Sequence, residues 1–394
     1  MTILESAAER TPTVGNPARR GRVFRAPGRV NLIGEHTDYN EGFVMPAALG
    51  FSTFVTVTPR ADRKLLVFSE NFSEEVEFDL ADEHAVPRHH WSDYVRGVAV
   101  TLQDAGYYIS GANLHIRGEV PIGSGLSSSA AIEVATAYAL LSNSNQQTDR
   151  VNLAQLCQRA ENEFVGMRCG IMDQFIACCG EAGKSLLLDC RSLEYQLLPL
   201  PKAVRLIVCN TMVRHQLAGG EYNTRRKECA AGVEALGRKL PGVRALRDVS
   251  ELQLEQHAAL LPPLIYRRCR HVISENARVL AAAGALNEGD FASCGELMNR
   301  SHDSLRQDYQ VSCRELDLMV DLARSVPGVF GARMTGGGFG GCTVNLVEAG
   351  AVEQFKSVVA KGYLEATGIK PGIYICEASN GAEELYRTRG SSDQ

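Results

Sequence analysis

Apolar and polar positions change rhythm along the chain, and each change marks an element. From Arg22 to about Thr58 the pattern is strand-like, with β-branched alternation. It predicts strands over VFRAPGRVNLIG, FVMPAAL and FSTFVTVTP. Lys64–Phe68, Val76–Leu80 and Ala112–Arg117 read as further strands, and residues 91–105 as a helix. A second helix should follow PIGSGLSSSAA and run to about Leu141. Over Val151–Gly166, Leu153, Leu156, Cys157, Ala160 and Phe164 fall on one stripe, so this helix has a buried face with Glu161 at its edge. Gly170–Cys179 reads as helix and Ser185–Cys190 as strand. A Leu-Pro-Lys junction lies near residues 195–205. Beyond it, helices are predicted over about 221–238, 270–286, 290–301 and 313–325, with strands at Gly331–Thr335, Thr343–Val347 and Gly372–Glu377. The class is α+β in two lobes: a flexible N-terminal segment (1–20), a first lobe (21–200) and a second (201–394).

Composition narrows the classes. The 394 residues are 45% hydrophobic and 22% charged, as in a soluble globular protein. A net charge of −5 leaves no basic excess for nucleic acid. Glu5 and Glu9 interrupt any signal-peptide core, and no apolar run nears the ~18 residues of a membrane span. A cytoplasmic chain is expected. The twelve cysteines begin only at Cys157 and form no C-x-x-C pair, so they read as reduced, mostly buried thiols, with neither disulfides nor zinc.

Two glycine-rich stretches invite a phosphate reading. Gly118, just ahead of Pro121–Ala131 (PIGSGLSSSAA), and Gly123 within it have the gap of a Walker A loop, but Ser124 stands where its lysine must be. The dinucleotide fingerprint fails too, because its third glycine is replaced by Ser128. An isolated G-S-G-L-S is adequately explained as a serine-capped helix. Three serines in succession exceed what a cap requires, and serine hydroxyls with backbone N–H groups at a helix start bind anions. Gly336–Gly341 (GGGFGG) matches G-x-G-x-x-G literally, yet a strand follows it and not a helix. Five glycines in six residues still indicate close backbone approach, to a ligand or to another chain segment.

Charged residues crowd APGRVNLIGEHTDYNEG, namely Arg29, Glu35, His36 and Asp38. Alone, these describe a solvated hairpin tip. They make a poor metal site, and a better carbohydrate site because they accept and donate bonds to several hydroxyls. In Gly170–Phe175 (GIMDQF), Asp173 at a helix start is either a cap or a catalytic carboxylate.

Taken together, three separated motifs resemble the galactokinases of the GHMP small-molecule kinase family: APGRVNLIGEHTDYNEGFVMPAAL (26–49), VPIGSGLSSSAA (120–131) and RMTGGGFGGCTVNL (333–346). The similarity continues through CGIMDQF, LLLDCRSLEY, SHDSLRQDY and SCRELD, over roughly residues 22–385. The resemblance implies an N-terminal α/β lobe with a mixed sheet, a ferredoxin-like α+β C-terminal lobe, and an active site in the cleft between them. It implies transfer of the ATP γ-phosphoryl group to the C1 hydroxyl of α-D-galactose, the entry step of galactose catabolism. By position, Asp173 is implied as catalytic carboxylate and Arg29 as its partner. Glu35, His36, Asp38, Gly170, Asp173 and Tyr222 are implied to contact the sugar. Gly123, Ser124, Gly125, Leu126, Ser127, Ser128, Ser129, Gly337 and Gly338 would hold ATP, with Trp91 and Tyr94 around adenine. Ser129 and Glu161 would bind Mg²⁺. Gly219-Gly220 depart from the family before Tyr222, where serines are frequent.

The partners expected are galactose and ATP, with no nucleic acid, no membrane and no obligate protein partner for a monomer. The rival readings are an N-acetylgalactosamine kinase or another sugar 1-kinase, and a catalytically silent galactose sensor. The intact Gly123–Ala131 loop, Asp173 and Arg29 argue against the sensor. GEHTDYN argues against a mevalonate or homoserine kinase.

Overall fold

The computed structural model describes residues 21–387 apart from Glu83, Ala85 and 215–217; the N-terminal segment 1–20 lies outside the described residues. The strand-like N-terminal run becomes β1 (Arg22–Asn31), β2 (Phe43–Val44) and β3 (Pro46–Pro59), then β4 (Lys64–Ser69) and β5 (Glu74–Asp79). Helix α1 (Asp93–Asp104) leads to β6 (Ala112–Gly118) and α2 (Ser128–Asn143). Next come α3 (Arg150–Arg159), a π-helical turn (Ala160–Val165), α4 (Met172–Cys179), β7 (Lys184–Asp189) and β8 (Tyr195–Pro199).

In the first sheet β4 runs parallel to β6 while the other pairs are antiparallel. Helices α1–α4 bury their apolar faces around this sheet; Phe24, Val55, Leu140 and Phe175 are fully enclosed, each contributing about 2 kcal/mol by burial. The pairing of β1 with β3 slips between Pro27 and Arg29. At this slip a Cβ on Gly28 would meet the Leu126 carbonyl at 2.6 Å, and the Arg29 N–H bonds that same carbonyl at 3.0 Å. The glycine therefore lets the β6–α2 loop dock against β1 beside Arg29.

The second half contains β9 (Val204–Arg214), α5 (Ala218–Gly237), α6 (Glu251–Gln256), α7 (Pro263–Glu288), α8 (Phe291–Ser304) and α9 (Arg314–Arg324). It continues with β10 (Val329–Thr335), β11 (Gly340–Glu348), α10 (Val352–Thr367), β12 (Gly372–Cys376) and β13 (Glu383–Arg387). Four of these strands make an antiparallel sheet in the order β10-β11-β9-β12. The fifth, β13, pairs with β1 at the edge of the first sheet, where Arg22 forks onto Glu384 at 2.7 and 2.6 Å. A shared core joins the halves, bringing Val30, Leu32 and Ile33 against Val208, Met298 and Val344. All twelve cysteines are free thiols, most of them buried. Among the described residues no helix is long and apolar enough to cross a membrane.

Candidate active site

Three loops converge on a cleft of about 470 Å³. The β6–α2 loop forms one wall. Gly123 and Gly125 have φ of 67° and 81°, and Ser127 at the start of α2 also lies in the left-handed region at 61°. That conformation disfavours a side chain, and the Ser127 hydroxyl does not cap α2. It donates instead to Asp173, which belongs to α4. Gly123, Gly125, Ser127, Ser128 and Ser129 line the cleft at the positive end of the α2 dipole. Ser124 and Leu126 do not. Ser124 donates to the Pro121 carbonyl at 2.7 Å, and Leu126 packs in the core.

The glycines of the β10–β11 turn serve another chain segment. A Cβ on Gly336 would come within 2.9 Å of the Gly125 carbonyl, and one on Gly341 within 2.8 Å of the Ser124 carbonyl. The two glycine-rich loops thus lie backbone against backbone. Gly337 reaches the cleft; Gly338 packs on the Val311 backbone.

Asp173 lies in the first turn of α4, but its carboxylate is not a cap. Arg29 grips it with two 2.8 Å bonds from Nε and Nη2, while Arg29 Nη1 donates to the Gly125 carbonyl at 2.6 Å. One arginine, 5% exposed, thereby ties β1, the β6–α2 loop and α4 together. The paired fork fixes the direction of the carboxylate.

The segment Glu35–Asp38 is largely buried, unlike a solvated hairpin tip. Glu35, 1% exposed, accepts from Asn31 and from the Gly336 N–H at 2.6 Å. Asp38 lies so close to Gly170 that any side chain at 170 would collide with its carboxylate. Burial, reinforced by the charge on Asp173, pushes the Asp38 carboxyl up to about 7. His36 adopts φ 65°, and burial lowers its imidazole to about 3, so it is neutral. Tyr222 comes from α5, and its ring packs against His36 with centroids 5.6 Å apart and planes tilted by 42°.

The π-helical turn carries Glu161 to the same cleft. Its carboxylate accepts from Cys169 at 3.2 Å and Gln174 at 2.5 Å, and hydrogen-bonds Ser129. Burial first, then Asp173, raises Glu161 to about 7. At the far end of the cleft, Trp91 stacks parallel to Phe72 with centroids 5.4 Å apart and donates to Glu74 at 2.8 Å, and Tyr94 lines the wall nearby.

Several cleft residues carry no motif in the sequence. Phe72 and Asn71 sit in an exposed β4–β5 turn, and only tertiary packing brings them beside Trp91. Behind the cleft, Gln174 of the GIMDQF stretch bonds the fully buried Glu133 at 3.0 Å, a contact that depends on how α4 lies against α2.

A helix start suited to phosphate, beside a carboxylate held by an arginine, describes a small-molecule kinase using ATP. Comparison with known proteins agrees. Residues 93–181 match the GHMP kinases N terminal domain, 282–364 the GHMP kinases C terminal domain, and 13–59 the galactokinase galactose-binding signature. A galactokinase of Roseiflexus sp. (strain RS-1) is 50% identical over 91% of this chain and 92% of its own length. One from Chloroflexus aurantiacus is 51% identical over 93% and 94%. Among solved structures, Lactococcus lactis galactokinase complexed with galactose superposes with a TM-score of 0.90, at 37% identity over 93% of this chain and 95% of that one. Methanococcus jannaschii mevalonate kinase, at 18% identity and TM-score 0.65, shares the fold alone. The chain belongs to the galactokinases of the GHMP kinase family, and is an ATP-dependent sugar kinase.

Proposed function

We propose that galactose and ATP meet in this cleft, with the γ-phosphoryl group passing to the C1 hydroxyl held by Asp173. The observation that carries the reading is the Arg29–Asp173 fork between the α2 helix start and the Glu35–Asp38 segment. Phosphoryl transfer is governed by positioning and charge stabilisation. Asp173 orients the attacking hydroxyl and takes its proton, and Arg29 holds that carboxylate in place beside the phosphate loop. Gly123, Gly125, Ser127, Ser128, Ser129 and Gly337 surround the phosphates, while Trp91, Tyr94 and Phe72 receive the base. His36, Asp38, Gly170 and Tyr222 face the sugar. Glu35 also lines the cleft and faces the sugar, its carboxylate fixed by bonds from Asn31 and the Gly336 N–H. The lobes divide near residue 200, with β13 returning to the first sheet.

GHMP kinases use ATP with a metal ion, and Ser129 with Glu161 suits Mg²⁺. The two are hard oxygen donors in contact, and Glu161 has no cationic partner among its hydrogen bonds. Two protein oxygens suffice for Mg²⁺, which takes its other ligands from phosphate and water. When bound, it neutralises charge on the phosphate oxygens.

The test is ADP release from ATP with galactose, 2-deoxygalactose or N-acetylgalactosamine as acceptor. Galactose should give the highest kcat/KM, and EDTA should stop the reaction until Mg²⁺ is restored in excess. A faster reaction with N-acetylgalactosamine would reassign the substrate, and no ADP release with any sugar would restore the sensor reading.

Asp38 gives this reading a pH signature. A carboxylate accepts more sugar hydroxyls than its protonated form, so the KM for galactose should rise as the pH falls below about 7. The rise approaches about tenfold per pH unit, and Asp38→Asn should flatten it. Stability runs the opposite way. The folded chain holds this proton more tightly than the unfolded chain, so the contribution is full below 3.8 and is lost as the pH rises through about 7.

A further inference from the structure

A line of hydrogen-bonding groups runs behind the sugar segment. His36 Nδ1 lies 2.8 Å from the Tyr39 hydroxyl, which lies 2.8 Å from the Tyr309 hydroxyl, which lies 3.1 Å from Cys229 Sγ. Tyr309 is wholly buried, and Cys229 nearly so. The other imidazole nitrogen, His36 Nε2, is buried without a hydrogen-bond partner in a side chain that lines the cleft. We propose that Tyr39 and Tyr309 are positioning residues that lock His36 in the Nε2–H tautomer, presenting galactose with one donor that needs a sugar oxygen as acceptor.

Chemistry at the two ends of the line sets its direction. Each of the three O–H or S–H groups has one proton to give, so the protons point either all toward His36 or all away. Pointed away, the imidazole N–H donates to a phenol and the last phenol donates to a sulfur, a weak acceptor. Pointed toward His36, the phenol of Tyr39 donates to the imidazole nitrogen, the strongest base in the line, and only the weak thiol donor stands at the far end. The second arrangement is the more stable, and it leaves the ring proton on Nε2. The ring has a single tautomer to fix because it is neutral: burial, with positive charge on Arg225 and Arg333 nearby, holds it far below its usual range. The Gly337 backbone lies near the ring without meeting Nε2 at hydrogen-bonding geometry. Packing keeps the geometry, with the His36 ring 4.8 Å from Tyr309 and 5.8 Å from Tyr39.

A buried Nε2–H without a hydrogen-bond partner in the protein recognises an oxygen lone pair. A sugar lacking that oxygen leaves a buried N–H unpaired, a larger loss than a missing surface contact. This inference rests on the reading that His36 faces galactose.

The experiment is nitrogen NMR of the full chain labelled with ¹⁵N-histidine, with and without galactose, His36 being assigned by loss of its signals in His36→Gln. The wild type should show a bare Nδ1 and a protonated Nε2, with Nε2 shifting when galactose binds. In Tyr39→Phe the two nitrogens should move toward a mixed tautomer. The KM for galactose should rise about five- to tenfold, the loss of one hydrogen bond, while kcat stays within about twofold. Tyr309→Phe, which cuts only the second link, should shift both in the same direction by less. A protonated Nδ1 in the wild type, or Tyr39→Phe with unchanged tautomer and KM, overturns the lock. A locked tautomer whose Nε2 ignores galactose supports the lock and overturns His36 as a sugar contact.

Discussion

Asp173→Asn should lower kcat by about a thousandfold or more, the scale of a positioned general base, while galactose still binds within a few-fold of its wild-type affinity. The substitution preserves shape and removes one property, the capacity to take a proton. It also turns an amide toward the Arg29 fork, where two 2.8 Å bonds now meet a carboxylate. One of those bonds must become donor facing donor or the amide must rotate, so the hydroxyl also loses its fixed direction. The measurement is kcat from coupled ADP release, with galactose affinity by calorimetry as the control. Turnover within a few-fold of wild type would remove Asp173 from its role.

Arg29→Lys should come next, with kcat reduced about a hundredfold and a raised KM for ATP. The charge survives, but a lysine ammonium is a point donor and cannot reproduce a planar fork. Arg29 makes three bonds in fixed directions, two to Asp173 and one at 2.6 Å to the Gly125 carbonyl. Lysine can keep at most part of this set, so the carboxylate and the phosphate loop lose their common anchor. A buried positive charge beside Asp173 remains, so the fold should hold. If the melting temperature stays put and kcat falls less than threefold, the directional part of the argument is wrong.

Parts of this arrangement are readable in the chain itself. The alternation in FSTFVTVTP becomes β3, and the serines after Gly125 do start α2. Other parts are not. Helix α10 places Phe355, Val359 and Tyr363 four apart on its buried face, a legible period that the pattern reading passes over. Strand β9 has only a four-residue apolar run, Leu206–Cys209, buried on both faces and so without alternation, soon after a Pro-Lys junction that reads as a boundary. Strand β13 is short and mostly polar, and only its pairing with β1 makes it a strand.

The site divides along the same line. Each motif can be seen locally, but Arg29 and Asp173 are 144 residues apart and nothing local announces their fork. Gly170 reads as an ordinary loop glycine until Asp38 is found against it. The glycines of 336–341 do signal close approach, yet only the fold reveals that Ser124 and Gly125 are what they approach. Tyr39, within the signature itself, gains its significance from Tyr309, which arrives from the turn after α8.

The edge strand β13 has a consequence for biosynthesis. Arg22 and Glu384, which clasp each other across the sheet edge, are 362 positions apart. The ribosome therefore delivers β1 long before its partner, and the growing chain must carry an unpaired edge through most of synthesis, the kind of edge that recruits wrong neighbours. Because Arg22 lies opposite Arg387 in the sheet, a short linker could join β13 to β1 and new ends be opened at a surface loop. Such a rearranged chain would receive the two strands in succession, and should emerge with less aggregation at equal expression.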